Sequence, residues 1–175
     1  MKKVSLIFLA WITLLFVSGC AGFNRVEFDH SIQVSFNINP VNPGSYTYAE
    51  VLYTNDLEQV LNDHKASLDH LESLKLKGFE IWITAPDGAT ADPFDNLFVY
   101  VEAEGHNEQL LATLDPVPDG GQQYIAFKAE TDVELAGYFR ESEITFRLKG
   151  ANSGTTTEVT TFDATVYFKL EASVL

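Results

Sequence analysis

Cysteine occurs once in 175 residues, at position 20. No disulfide can form within the chain, and a lone thiol in an exported protein needs an explanation. Basic residues are scarce: 11 Lys and Arg stand against 25 Asp and Glu, and Lys2 and Lys3 account for two of the 11. So acidic a surface repels phosphate backbones and anionic head groups. That disfavours nucleic-acid binding and leaves no basic patch to hold a membrane. The plainest consequence of the acidity is solubility. Long apolar runs are missing as well: residues 4–17 form the one extended stretch, against roughly 20 residues needed to cross a bilayer core. There is no internal repeat, no low-complexity tract and no linker to a second domain.

Catalytic signatures are also lacking. Nucleophilic hydrolysis is often flagged by a sharp Gly-x-Ser-x-Gly turn. The nearest segment, Gly150-Ala151-Asn152-Ser153-Gly154, carries its serine one place late and reads as a hairpin. Zinc sites want paired His or Cys at helical or turn spacing. The four histidines stand at 30, 64, 70 and 106, and His64 and His70 fall on different faces of a helix. No phosphate loop or dinucleotide fingerprint is present, and nothing in the spacing of the carboxylates selects a catalytic pair. The sequence therefore does not read as an enzyme.

What is there begins at the N-terminus. Met1-Lys2-Lys3 is a positive leader, residues 4–17 are an apolar core of signal-peptide length, and Val17-Ser18-Gly19-Cys20 follows. This tetrapeptide resembles the lipobox of bacterial lipoprotein precursors: aliphatic, small, small, then cysteine. The resemblance covers only the first twenty residues. It implies a signal peptide over residues 1–19, diacylglyceryl transfer to the Cys20 sulfur, cleavage before Cys20, and acylation of the new amine with a palmitate-type chain. Several acyl chains anchor stably, at ~0.8 kcal/mol per buried CH₂. Residues 20–25 are then a lipidated cysteine and short tether, with an extended reach of about 20 Å. By the sorting rules of enteric bacteria, the lack of Asp at position 21 points to the outer membrane. The expected address is the bacterial cell envelope, with the membrane as partner through the lipid alone.

Residues 26–175 read as one β domain. In the stretch 26–38 every even position is apolar except His30 and every odd position is polar, the mark of a strand with one buried face. His30 reads as a satisfied core or edge histidine. Pro40, Asn42, Pro43 and Gly44 end the strand in a turn. Further strands are expected over 45–53, 74–84 (with Gly78 a bulge), 97–103, 109–114, 122–129, 143–149 and 157–172. Two short helices interrupt them. Residues 56–64 carry Leu57, Val60 and Leu61 on one stripe, with Asn55 and Glu58 as a capping-box-like start. Thr131 and Glu134 suggest a second capping box opening a helix through Phe139. About eight strands with two short crossover helices point to an all-β, antiparallel β-sandwich, Ig-like or jelly-roll. The pattern resembles that of small single-domain envelope lipoproteins, a likeness of organisation that transfers no site.

Three candidate sites emerge. Asp87, Asp92 and Asp95, with Asn96, could supply hard oxygens to Ca²⁺, although their spacing is not that of an EF-hand and Asp-Gly and Asp-Pro are ordinary turn vocabulary; no other cofactor is expected. If Phe79, Ile81 and Ile83 point inward, Trp82 points outward, and by the same alternation so do Phe98 and Tyr100. Should their strands pair, these three form one aromatic patch able to stack sugars. The competing and favoured arrangement lays the helical crossover, with Leu57, Val60, Leu61, Leu68 and Leu71, over that face. Tyr46, Tyr48 and Tyr53 form a third group, to which no function is assigned. The function expected is a non-catalytic, membrane-anchored lipoprotein whose β-sandwich binds or scaffolds an envelope component. The alternatives are a glycan-binding module using the aromatic patch, or an assembly subunit pairing through an edge strand, 26–38 or 157–172.

Overall fold

The computed structural model describes residues 24–174. The leader, the lipobox and Cys20 lie outside the described residues. Eight strands alternate with short connections: β1 Arg25–Ile38, β2 Gly44–Thr54, β3 Leu71–Ala85, β4 Phe94–Ala103, β5 His106–Leu114, β6 Tyr124–Ala129, β7 Glu143–Asn152 and β8 Thr160–Ser173. Among the described residues, one α-helix, α1 (Leu57–Asp63), and two 3₁₀ turns, Leu68–His70 and Tyr138–Arg140, interrupt them. None of the described helices is long and apolar enough to cross a membrane.

All strands pair antiparallel, in the order β1-β8-β3-β6-β5-β4-β7-β2. The sheet is continuous and curls so that one face is interior, a half-barrel whose first and last strands, β1 and β2, touch. β5 and β6 hydrogen-bond through Ala112–Ala129 and Thr113–Lys128, so the two halves are joined into one antiparallel β-sheet.

Alternation decides which side faces in. On β1, Ile32, Val34, Phe36 and Ile38 are buried while Gln33, Ser35 and Asn37 are exposed. β8 repeats this with Phe162, Ala164, Val166, Phe168, Leu170 and Ala172 inward. β3 changes phase partway. Leu74 and Leu76 are buried before Gly78, and Phe79, Ile81 and Ile83 after it. The register against β8 shifts between Leu76 and Gly78, so the expected bulge is present, and its extra residue switches the inward positions from even to odd. That phase change turns Trp82 outward.

The connections sort to two ends. Asn24 O accepts the Val174 N–H at 2.7 Å and Arg25 pairs with Glu72 at 2.9 Å, so both described termini sit beside the start of β3. The opposite end gathers residues 39–43, 86–93, 115–123 and 153–159, tied by Ala91 N–H to Gln122 O, Gly154 N–H to Pro93 O and Thr156 N–H to Val41 O.

α1 forms where expected, with Leu57 and Leu61 one turn apart and buried. Its start differs in detail. Asn55 Oδ1 accepts the Leu57 N–H at 3.1 Å, while its Nδ2 donates to Phe139 O (2.6 Å) and Glu141 O (3.0 Å), so Asn55 bolts the crossover to the 3₁₀ turn before β7. The second expected helix shrinks to that single turn. Glu134 does not reach back to Thr131. Its carboxylate accepts from Ser73 Oγ (2.7 Å) and the N–H groups of Leu74 (2.8 Å) and Ala136 (2.9 Å), and the backbone bridges to Lys75 in extended form. A carboxylate committed to β3 cannot close a capping box.

Candidate binding face

Trp82 leaves β3 on the outer side of the β1-β8-β3-β6 half, 54% exposed. Its cross-strand partners are Tyr124 on β6 and Asp163 on β8. The Trp82 and Tyr124 rings lie 4.9 Å apart at 44°. Tyr167 adds a third exposed ring on β8, opposite Gly78. A Cβ on Gly78 would meet the Tyr167 ring at 3.4 Å, an ordinary contact, so the ring lies directly over the bulge. A shallow hollow of about 430 Å³ opens there, lined by Asp29, His30, Lys77, Gly78, Glu80 and Tyr167 among others.

Two carboxylates organise the strip. Glu80 Oε2 accepts the Tyr167 hydroxyl at 3.1 Å, and hydrogen bonding to Glu80 raises both the Tyr124 and Tyr167 hydroxyls above the ordinary phenol value. Asp163 accepts from Ser35 Oγ (2.5 Å) and Thr84 Oγ1 (2.8 Å), and Gln33 donates to Thr165 at 3.0 Å. The result is an exposed surface of three rings bordered by hydroxyl, amide and carboxylate groups. It can stack against a flat apolar face while exchanging hydrogen bonds at its rim.

Phe98 and Tyr100 do not join it. β6 and β5 lie between β3 and β4, so the expected patch of Trp82, Phe98 and Tyr100 is corrected to two separate groups. Phe98 and Tyr100 are half-buried beneath a charged network. Lys149 Nζ sits 4.6 Å from the Tyr100 ring centre and pairs with Glu108 at 2.6 Å. Arg147 pairs with Glu50 (2.9 Å), Glu102 and Glu108 (3.2 Å). Glu108 is held below the usual carboxylate range, chiefly by its hydrogen bond from Lys149. The helical crossover does not cover Trp82 either, because Leu57, Leu61 and Leu71 are spent in the interior.

The aspartate loop serves its own turns. Asp92 Oδ1 accepts the Gly121 N–H at 2.9 Å, Asp95 Oδ1 the Ser153 hydroxyl at 2.6 Å, and Asn96 Oδ1 the Ala151 N–H at 2.9 Å, while Asp87 is exposed. Among the described residues, no three His, Cys, Asp or Glu side chains are grouped as metal ligands. Of the tyrosine group, Tyr46 is exposed, its ring 5.7 Å from that of Tyr48. Tyr48 is buried and donates to Asn152 Oδ1 at 2.9 Å, its hydroxyl pushed up to about 12 by burial and by nearby Asp95 and Tyr46. Tyr53 donates to Asp56 at 2.6 Å.

His30 departs from expectation. It points inward, but its buried Nε2 has no hydrogen-bond partner, so it is not a satisfied histidine. Burial lowers its pKa, against an opposing pull from Asp56.

Sequence reasoning singled out Trp82 but missed Tyr124 and Tyr167. Both occupy polar-phase positions of their strands, opposite in phase to Ile125 and Phe127 and to Val166 and Phe168. That signal was present; which strands flank β3 was not.

No family model and no curated protein sequence matches the chain. Among solved structures it is similar to one titled Desmodium yellow mottle tymovirus, at 11% identity over 86% of this chain and 90% of that one, TM-score 0.26. It is also similar to the decameric BFDV capsid protein, at 14% identity over 83% and 99% of the respective chains, TM-score 0.29. Superpositions that loose carry no functional weight.

Proposed function

We propose that this chain is a non-catalytic lipoprotein of the bacterial cell envelope, anchored by lipid on Cys20, whose domain binds a glycan on the outer face of β1-β8-β3-β6. One observation carries the binding role: Trp82 stands more than half exposed beside Tyr124 on a sheet face that no other element covers among the described residues. Large exposed aromatics are costly to leave in water, and a group of them marks a contact surface. The lipobox-like Val17-Ser18-Gly19-Cys20 supports the anchor. Because Asn24 and Arg25 sit beside Val174 and Glu72, a short tether holds that end of the domain toward the membrane and the four opposite turns away from it.

The strand order supports a jelly-roll description of the sandwich. β1-β8-β3-β6 and β5-β4-β7-β2 form two four-stranded groups, joined by only two β5–β6 residue pairs, in the order that a doubled Greek key produces. Such folds serve many ligands, so the role rests on the face and not on the fold.

A second reading is strand addition to a partner, for which, of the segments 26–38 and 157–172, only the first lies at a sheet edge. β8 is enclosed between β1 and β3, whereas β1 ends the sheet order with 14 residues.

The test has two arms. Mass spectrometry of the protein from membranes should find a diacylglyceryl-modified Cys20 as the first residue; an unmodified sulfur ends the anchoring proposal. Co-sedimentation of the mature domain with insoluble cell-wall polysaccharide should retain the wild type and release Trp82→Ala. Equal retention of the two ends the binding-face proposal.

A further inference from the structure

We infer that the aromatic face selects sugar chains free of carboxylate, phosphate and sulfate groups, and rejects the anionic polymers of the envelope. The inference rests on the glycan-binding reading above and narrows its ligand. Two anions border Trp82: Glu80, two residues away on β3, and Asp163, directly across on β8. Their hydrogen-bond partners are neutral hydroxyls, Tyr167 on Glu80 and Ser35 and Thr84 on Asp163. Among the described residues no Lys, Arg or His forms an ion pair with either carboxylate.

The cations of the same face are spent or distant. Lys77 pairs with Asp29 and Lys169 with Glu27. Lys169 lies six residues along β8 from Asp163, on the order of 20 Å, and Lys128 four residues along β6 from Tyr124, on the order of 13 Å. Screening at physiological salt acts over about 8 Å, so neither lysine offsets the two carboxylates at Trp82. An anionic sugar stacked on the indole meets like charge on both sides, and like-charge juxtaposition excludes wrong partners efficiently. A neutral sugar finds acceptors in Glu80 and Asp163 for its hydroxyls. A free amine additionally gains from the ring faces and the carboxylates.

The chain holds two tryptophans, Trp11 in the leader and Trp82, so the domain without its leader carries a single tryptophan, at the site itself. The experiment titrates the mature domain with N-acetylglucosamine oligomers, glucosamine oligomers and oligogalacturonate, following Trp82 emission. The first two should shift or quench the emission, with oligogalacturonate about tenfold weaker or worse. Glu80→Gln and Asp163→Asn, which preserve shape, should narrow that gap, and circular dichroism confirms that they fold. If oligogalacturonate binds as tightly as the neutral oligomer, the charge selection is overturned and the binding face stands. If none of the three changes Trp82 emission, the glycan reading of the face falls together with the selection.

Discussion

Trp82 and Tyr124 meet across the β3–β6 pair with their rings 4.9 Å apart, and Trp82 keeps 54% of its surface in water. A side chain so exposed contributes little to folding. Trp82→Ala is expected to change stability within about 0.5 kcal/mol, the usual range for surface positions. Binding to a retained polysaccharide should be lost in the same variant. Thermal unfolding read beside a binding isotherm separates the two effects. A large drop in stability would show instead that the pair is structural.

Asn55 is the opposite case. It serves three backbone groups at once, the Leu57 N–H and the carbonyls of Phe139 and Glu141. Asn55→Ala strips partners from a partly buried junction and is expected to cost about 1–3 kcal/mol in urea unfolding. Asn37→Ala, which removes only the exposed contact with Thr161, serves as the control and should cost no more than about 0.5 kcal/mol.

Glu134 gives the fold a carboxylate dependence on pH. Burial pushes its pKa up, but the N–H groups of Leu74 and Ala136, the Ser73 hydroxyl and Lys75 together pull it below the ordinary 4.5. A depressed carboxylate stabilises fully above its unfolded value and loses that contribution as pH falls through the folded value. Glu134→Gln should therefore be destabilising at pH 7, with the deficit shrinking once the pH drops below 4.5. A deficit independent of pH contradicts the clamp.

His30 works with the other sign. Its folded pKa is lowered from 6.5 by burial, so the unfolded chain takes up a proton that the folded chain refuses. Native stability should fall as pH drops below 6.5 toward the folded value. His30→Leu removes both this cost and the unpartnered Nε2. The variant's advantage over wild type should grow between pH 7.5 and pH 5, measured by paired denaturant titrations.

Much of the architecture is local and so legible from the chain. The period-two runs in β1 and β8 identify their buried faces. Gly78 marks its bulge because glycine weakens a regular strand interior and commonly sits where the ladder shifts. Trp82 is read as outward-facing from the phase of Phe79, Ile81 and Ile83 alone. What fails is long-range. Nothing in β3 or β4 says that β6 and β5 will come between them, so side-chain phase alone groups Trp82 with Phe98 and Tyr100 instead of Tyr124 and Tyr167. The second helix fails for a related reason. Thr131 and Glu134 have capping spacing, but a partner 60 residues away, Leu74, takes the carboxylate first.

The claim that the Trp82 face is the working surface is tested most directly by a footprint. Backbone and aromatic NMR shifts of the mature domain, followed during titration with N-acetylglucosamine oligomers, report every face at once. The expected result is a cluster of shifts at Trp82, Tyr124, Tyr167 and the adjoining Glu80 and Asp163, with Phe98, Tyr100 and the turns at 86–93 and 153–159 unmoved. Shifts concentrated on β4 and β7, or on those turns, with Trp82 silent would contradict it.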